Sequence, residues 1–252
     1  LVNPEIQKSK NQYIFLPTKD MQVTEAIVLA GGLGTRLRSA VPDMPKCMAP
    51  VNGRPFLDYI IHYYRKQGIQ RFIFSLGYKS EIIETWLDQA YAGLEKLIVI
   101  EREPLGTGGA IRLAASAAKE KTSCILNGDT LFEVDMAALS SFHLQSSALC
   151  TLGLKPMKQF DRYGAVETDD HGQITRFREK QFYKSGWING GVYLLNAKTF
   201  LQTGMPEKFS FEKDFLETNC NKGILYGLPQ DGYFIDIGIP EDFARAQTEI
   251  NY

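Results

Sequence analysis

The chain has 252 residues, 44% hydrophobic and 23% charged, and its 28 Lys and Arg against 29 Asp and Glu leave a net charge of −1. These are the proportions of an ordinary soluble globular protein, long enough to bury one large core or two modest ones. The near-neutral balance excludes a chain whose main task is gripping nucleic acid or an anionic membrane, because both need an excess of Lys and Arg.

Residues 1 to 20 show no clean periodicity, and MQVTEAIVLAGG after them reads as the opening of the domain. Met21 is expected to start the core, with residues 1 to 20 an extension or a docked arm whose Tyr13, Ile14, Phe15 and Leu16 offer apolar surface. The run Ala26 to Ala30 is short, apolar and closed by glycines, as a central parallel strand covered on both faces requires. Leu57, Ile60, Ile61 and Tyr64 recur at helical spacing between Phe56 and Lys66, and Gly68 stops that helix. The pattern continues with a strand over Arg71 to Leu76 and a helix over Ser80 to Ala90 carrying Ile82, Ile83, Trp86 and Leu87 on one face. A strand over Leu97 to Ile100, a helix over Gly108 to Ala118 and a strand over Ser123 to Leu126 complete this half. Crossovers of this length predict a parallel, doubly wound sheet, with ligands at the carboxyl ends of its strands.

The second half changes character. Leu152 to Leu154, Gly164 to Glu167, Ile174 to Phe177 and Gly191 to Leu195 are short strands divided by turns such as Asp169-Asp170-His171-Gly172. They predict antiparallel or mixed sheet laid onto the first half. With no repeat and no low-complexity linker, a single domain over 21–252 is expected.

Cys47, Cys124, Cys150 and Cys220 form no CxxC pair, and His62, His143 and His171 are equally scattered. Neither a zinc site nor a Ser-His-Asp triad is indicated. Separated thiols, no secretion signal and no run of ~18 apolar residues point to a reducing cytoplasm and away from a membrane.

The stretch Gly31-Gly32-Leu33-Gly34-Thr35-Arg36-Leu37 carries the most chemistry. Glycines let a backbone approach a ligand and turn its N–H groups towards negative charge. A P-loop would need Lys and then Ser or Thr after Gly34, where Thr35 and Arg36 stand; a dinucleotide fingerprint would need a small residue where Leu37 stands. Arg36 and, ten residues on, Lys46 suit a triphosphate better than a dinucleotide. For the loop alone, a glycine turn with surface cations accounts for the pattern equally well.

GGLGTRL followed by PKCMAP resembles the signature of the sugar-1-phosphate nucleotidyltransferases. EPLGTGGA from Glu103, LNGDT from Leu126, Tyr163-Gly164, Glu179-Lys180, NGGVY from Asn189 and FIDIG from Phe234 follow in that family's order, so the match covers about residues 24 to 247. Within the family, DRYG from Asp161, ING from Ile188, KFSFE from Lys208 and FIDIGIPED from Phe234 are most similar to the D-glycero-α-D-manno-heptose 1-phosphate guanylyltransferases. Cys47 stands where the signature more often has proline.

The resemblance implies a Rossmann-like doubly wound mixed sheet in a three-layer α/β/α nucleotidyltransferase (GT-A-like) fold with a small additional β region. About 21–130 would bind the nucleotide and about 131–252 the sugar phosphate. It also implies a reaction in which a sugar 1-phosphate oxygen attacks the α-phosphorus of a nucleoside triphosphate and pyrophosphate leaves. Two polyanions must then be held in line and their charge neutralised.

By the same resemblance Arg36 meets the β- and γ-phosphates, Lys46 the α-phosphate, and Asp129 with Asp236 an Mg²⁺ ion. Arg36, Lys46 and Asp129 are the implied catalytic residues. Leu29, Ala30, Gly31, Gly32, Gly34, Thr35, Gly106 and Thr107 are implied to line the nucleotide, with Glu101, or Glu103 beside it, reading the base. A carboxylate only accepts hydrogen bonds, and guanine offers the N1–H and N2–H₂ pair that uracil and thymine lack, so GTP is the expected donor. Lys180 is implied to hold the sugar's phosphate, Glu179 and Asn189 its hydroxyls, with Tyr163, Gly164 and Gly190 around them. Against this, an isolated strand-end Asp is usually an Asx turn, and Arg176, Arg178 and Glu179 already make a charged strand face.

The rival expectations are a mannose-1-phosphate guanylyltransferase, a hexose-1-phosphate uridylyl- or thymidylyltransferase, and a non-catalytic nucleotide-sugar-binding regulator. Partners are limited to the two substrates, with no nucleic acid or membrane, in a monomer or homo-oligomer.

Overall fold

The computed structural model describes residues 22–32, 37 and 41–250. After β1 (Glu25–Leu29) come a 3-10 turn at Lys46–Met48, the short strands β2 (Pro50–Val51) and β3 (Arg54–Pro55), and α1 (Phe56–Lys66). β4 (Arg71–Leu76), α2 (Ser80–Ala90), β5 (Glu95–Ile100), α3 (Gly106–Ala115), β6 (Thr122–Asn127), β7 (Thr130–Phe132) and α4 (Met136–Gln145) follow. The remainder is β8 (Cys150–Phe160), β9 (Ala165–Thr168), β10 (Ile174–Phe177), β11 (Tyr183–Asn196), α5 (Ala197–Leu201), a π-helical turn over Phe211–Glu217, β12 (Leu225–Pro229), β13 (Phe234–Asp236) and α6 (Pro240–Glu249).

The main sheet runs β10-β9-β11-β6-β1-β4-β5, with β8 paired to β11 and β12 to β8. β6, β1, β4 and β5 are mutually parallel, and β11 joins β6 antiparallel. From β1 the chain builds outward through β4 to β5 and then returns to place β6 on the other side of β1. That reversal opens a crevice at the carboxyl ends of β1 and β6, where open α/β sheets take ligands.

Alternate side chains of β1 point to opposite faces, as a pleated strand demands. Ala26 and Val28 enter a core with Leu57, Ile60 and Ile61 of α1, Ile83 and Leu87 of α2, and Leu139 of α4. Ile27 enters a second core with Ile111 and Ala114 of α3, Phe200 of α5 and Phe211 and Phe215 of the π-helical turn. The result is the three-layer α/β/α architecture with a mixed sheet that the resemblance implies. Local signals mark the helix starts: Asp135 caps α4 by accepting from Ala138 N–H at 2.9 Å, and Pro240 opens α6 at a position where a missing N–H costs nothing.

The first-half elements fall where expected, except that β5 starts earlier, at Glu95, and α3 is shifted, running from Gly106 to Ala115. The second half departs more. The expected strand over Leu152 to Leu154 is the middle of an 11-residue strand, and that over Gly191 to Leu195 is the end of a 14-residue one. β11 is long because it changes partners. It pairs with β9 at Trp187 and Ile188 and with β6 from Val192 to Asn196, and its register against β8 shifts between Asn189 and Tyr193. Gly191, with φ at +73°, carries that bulge.

Candidate active site

A cleft of about 620 Å³ lies over the crevice. Leu29, Ala30, Gly31 and Gly32 follow β1 into its wall, Gly77 and Tyr78 follow β4, Glu101 follows β5, and Asn127, Gly128 and Asp129 follow β6. A Cβ on Gly31 would stand 2.8 Å from Glu101 Oε1 and 3.2 Å from the Gly77 nitrogen, so only glycine lets these loops close around the cleft floor. Gly34, Thr35 and Arg36 lie outside the described residues.

Lys46, Asp129 and Asp236 meet at one end. Lys46 opens the 3-10 turn behind Pro45, and its anchors Cys47 and Met48 are buried. The side chain, 12% exposed, gives its ammonium to Asp129 Oδ2 and stands 3.5 Å from Asp236 Oδ1. The carboxylates converge because β7 and β13 pair antiparallel, with Asp236 opposite Thr130, and Ile237 N–H donates to the Asp129 carbonyl at 3.0 Å. Gly238 N–H fixes Asp236 Oδ1 at 2.8 Å. Lys46, expected at the α-phosphate, thus shares the carboxylates' cluster.

Among the described residues no group of three or more His, Cys, Asp or Glu gathers into an all-protein metal cage. Two carboxylates around one cationic position suit a Mg²⁺ ion that draws its other ligands from phosphate and water. Cys47, also on the wall, is no nucleophile: burial above all, and then the nearby charge of Asp129, push its thiol up to about 12.

At the other end Glu101 accepts from Leu105 N–H at 3.1 Å and from the Ser75 hydroxyl at 3.5 Å. Each bond engages one carboxylate oxygen and leaves accepting capacity on both. Exposed Glu103, Gly106 and Thr107 continue the wall. The Thr107 hydroxyl donates to Glu212 at 2.6 Å. Glu212 enters the sequence reading only as part of KFSFE, with no role; nothing local marks its approach to Thr107.

The residues expected around the sugar phosphate are not gathered in one place. Tyr163 lines a second, smaller cleft of about 230 Å³ that has Asp236 in its wall. Its ring meets Phe234 edge-on at 6.0 Å, and burial, with Asp236 adding to it, raises its phenol well above the ordinary value. Gly164 packs against the Arg178 carbonyl, next to the exposed loop that carries Glu179 and Lys180. Neither of those two lines either cleft. Asn189 spends its amide inside the β11 bulge, donating to Tyr193 Oη at 2.9 Å and accepting from Gly191 N–H at 3.1 Å, and Gly190 is buried against the Phe132 ring. Arg162 and Arg245, both paired with buried Asp242, also line the second cleft; Arg162 enters the sequence reading only as part of DRYG, with no role, and Arg245 not at all.

Comparison with known proteins gives this geometry a context. The sequence model of the nucleotidyl transferase family matches residues 25–251. A D-glycero-alpha-D-manno-heptose 1-phosphate guanylyltransferase of Aneurinibacillus thermoaerophilus is 50% identical over 228 residues, covering 90% of this chain and 99% of the relative. Its counterpart of the same name in Campylobacter jejuni is 47% identical over 219 residues, covering 87% and 96%. The crystal structure of HddC from Yersinia pseudotuberculosis superposes with a TM-score of 0.81 at 36% identity, over 91% of this chain and 100% of that one. The same protein complexed with GMP-PN gives 0.79.

Proposed function

Because this chain belongs to the nucleotidyl transferase family, we propose that it transfers the guanylyl group of GTP to D-glycero-α-D-manno-heptose 1-phosphate. An oxygen of the sugar's phosphate forms a bond to the α-phosphorus of GTP, the bond from that phosphorus to the bridging β-phosphate oxygen breaks, and GDP-heptose and pyrophosphate are released. The observation that carries this reading is the meeting of Lys46, Asp129 and Asp236 at one end of a cleft whose other end holds the acceptor-only side chain of Glu101. The names of the two bacterial relatives and the GMP-PN complex of HddC support the guanine and the heptose.

Asp129 and Asp236 would hold Mg²⁺, which when bound would supply positive charge for the phosphate oxygens and the leaving pyrophosphate. Lys46 supplies a fixed ammonium for the α-phosphate beside those carboxylates, and Arg36 a guanidinium that binds the β- and γ-phosphate oxygens two at a time. The backbone from Leu29 to Gly32, with Gly34 and Thr35, cradles the nucleotide. Glu101, flanked by Glu103, accepts from guanine N1–H and N2–H₂, while Gly106 and Thr107 close over the base. Tyr163, Gly164, Glu179, Lys180, Asn189 and Gly190 form the sugar side; Tyr163 and Asp236 sharing a cleft supports that side adjoining the metal. The work is done by a single domain, monomeric or homo-oligomeric. It takes place in the cytoplasm, where free Cys47, Cys124 and Cys150 stay reduced, and serves polysaccharide assembly.

Product mass settles the reading. GTP, dTTP, UTP and CTP are each offered with Mg²⁺ and a panel of heptose, mannose and glucose 1-phosphates, and GDP-heptose is the expected dominant product. A dominant GDP-mannose product overturns the sugar, a uridylyl or thymidylyl product the base, and no pyrophosphate with any pair the enzymatic reading.

A further inference from the structure

The start of α3 is built against the segment 207–212, which none of the expected site residues includes. The Phe209 carbonyl accepts from Gly108 N–H at 3.0 Å and from Gly109 N–H at 3.4 Å, while its own N–H donates to the Leu105 carbonyl at 3.0 Å. A Cβ on Gly106 would stand 2.5 Å from the Phe209 oxygen, and one on Gly108 would collide with the Phe209 ring. Glycines there let the two segments touch through their backbones.

One polar knot closes the seam. Thr107 Oγ donates to Glu212 Oε2 at 2.6 Å and accepts from Phe211 N–H at 2.9 Å, and Ser210 Oγ donates to the same carboxylate oxygen at 3.1 Å. A hydroxyl has one proton and two acceptor positions. With the proton given to Glu212 and one acceptor position filled by Phe211, Thr107 faces the cleft without an O–H donor. Glu101 in the same wall is also acceptor-only.

We infer that Glu212 is a positioning residue that determines base specificity: by holding the Thr107 proton it keeps a hydroxyl donor away from the base end of the cleft, where Glu101 accepts. Such a wall favours guanine's adjacent N1–H and N2–H₂ over uracil or thymine, whose single N3–H lies between two carbonyls. The inference rests on the proposed guanine reading and deepens it.

The test compares kcat/KM for GTP and UTP with the heptose 1-phosphate in four proteins: wild type, Glu212→Met, Thr107→Val and the double variant. Freed from Glu212, the Thr107 hydroxyl turns and donates to a base carbonyl, so Glu212→Met lowers the GTP-to-UTP ratio by about fivefold to tenfold, the scale of one net hydrogen bond. Thr107→Val shifts the ratio little, whatever its effect on turnover. The double variant recovers the wild-type ratio, because no hydroxyl is left to turn; a purely structural Glu212 predicts no such recovery. A Glu212→Met ratio equal to wild type, or a double variant as relaxed as Glu212→Met, overturns the inference. A wild type that prefers UTP overturns the guanine reading separately, in its own arm. If turnover is lost in a variant, calorimetric dissociation constants for GTP and UTP read the same ratio.

Discussion

Gly238 shows how little room the candidate centre has. A Cβ there would stand 2.8 Å from Asp236 Oδ1 and 2.9 Å from Lys46 Nζ, both polar ends of side chains and not backbone. Gly238→Ala therefore moves the charged groups and spares the fold. Because displacements near 1 Å at reacting groups cost about 10²-fold, kcat is expected to fall by at least about tenfold with the melting temperature nearly unchanged. Steady-state kinetics beside a thermal melt checks this, and an undiminished kcat would show that the spacing of Lys46 and Asp236 is not needed. The strand-end glycines and acids were legible because each sits in a short motif. Glu212 was not, since its contact with Thr107 spans 105 positions.

Among the secondary elements, α4 and β8 are tied by His143, whose Nδ1 meets Thr151 Oγ at 2.8 Å. Burial, with the charge of Lys121 adding to it, lowers its pKa from 6.5 to about 4. Between those values the unfolded chain binds a proton that the native protein refuses, so stability is complete above about pH 6.5 and drains away as the pH falls towards about 4. At about 1.4 kcal/mol per unit, the loss across that window is on the order of 3 kcal/mol. Urea melts between pH 7 and 4.5 should show the decline in wild type and a shallower slope in His143→Gln; equal slopes would exclude His143 as the cause. The helices and central strands were readable because 3.6-residue periodicity and continuous apolar runs are local. β7 and β13 are three residues each, too short for a pattern, and the β11 bulge hides its strand's true length.

For the molecule as a whole, the decisive feature is that Asp129 and Asp236 come from opposite halves and meet through β7 and β13. A ligand that binds only the folded protein stabilises it by about 2.7 kcal/mol at 100 times its dissociation constant. For a chain of this size that is an increase of about 5–10 °C in melting temperature. GTP with Mg²⁺ is expected to give such a rise, and Asp129→Asn and Asp236→Asn each to lose its Mg²⁺-dependent part. Either variant keeping the full rise would remove that residue from the metal site.

The alternation of strands and helices through β1, β4, β5 and β6, their parallel pairing, the glycine-lined strand ends and the family itself follow from the sequence alone, because each is written in neighbouring residues or in motifs of a few positions. Tertiary structure alone decided that Lys46 lies between two carboxylates 83 and 190 positions away and that Glu212 takes the Thr107 proton. It also placed Tyr163 and Asp236 in one cleft and left Glu179 and Lys180 on an exposed loop. Such contacts depend on how the sheet packs and where its strands end, and periodicity carries no record of distances between segments the chain brings together only on folding.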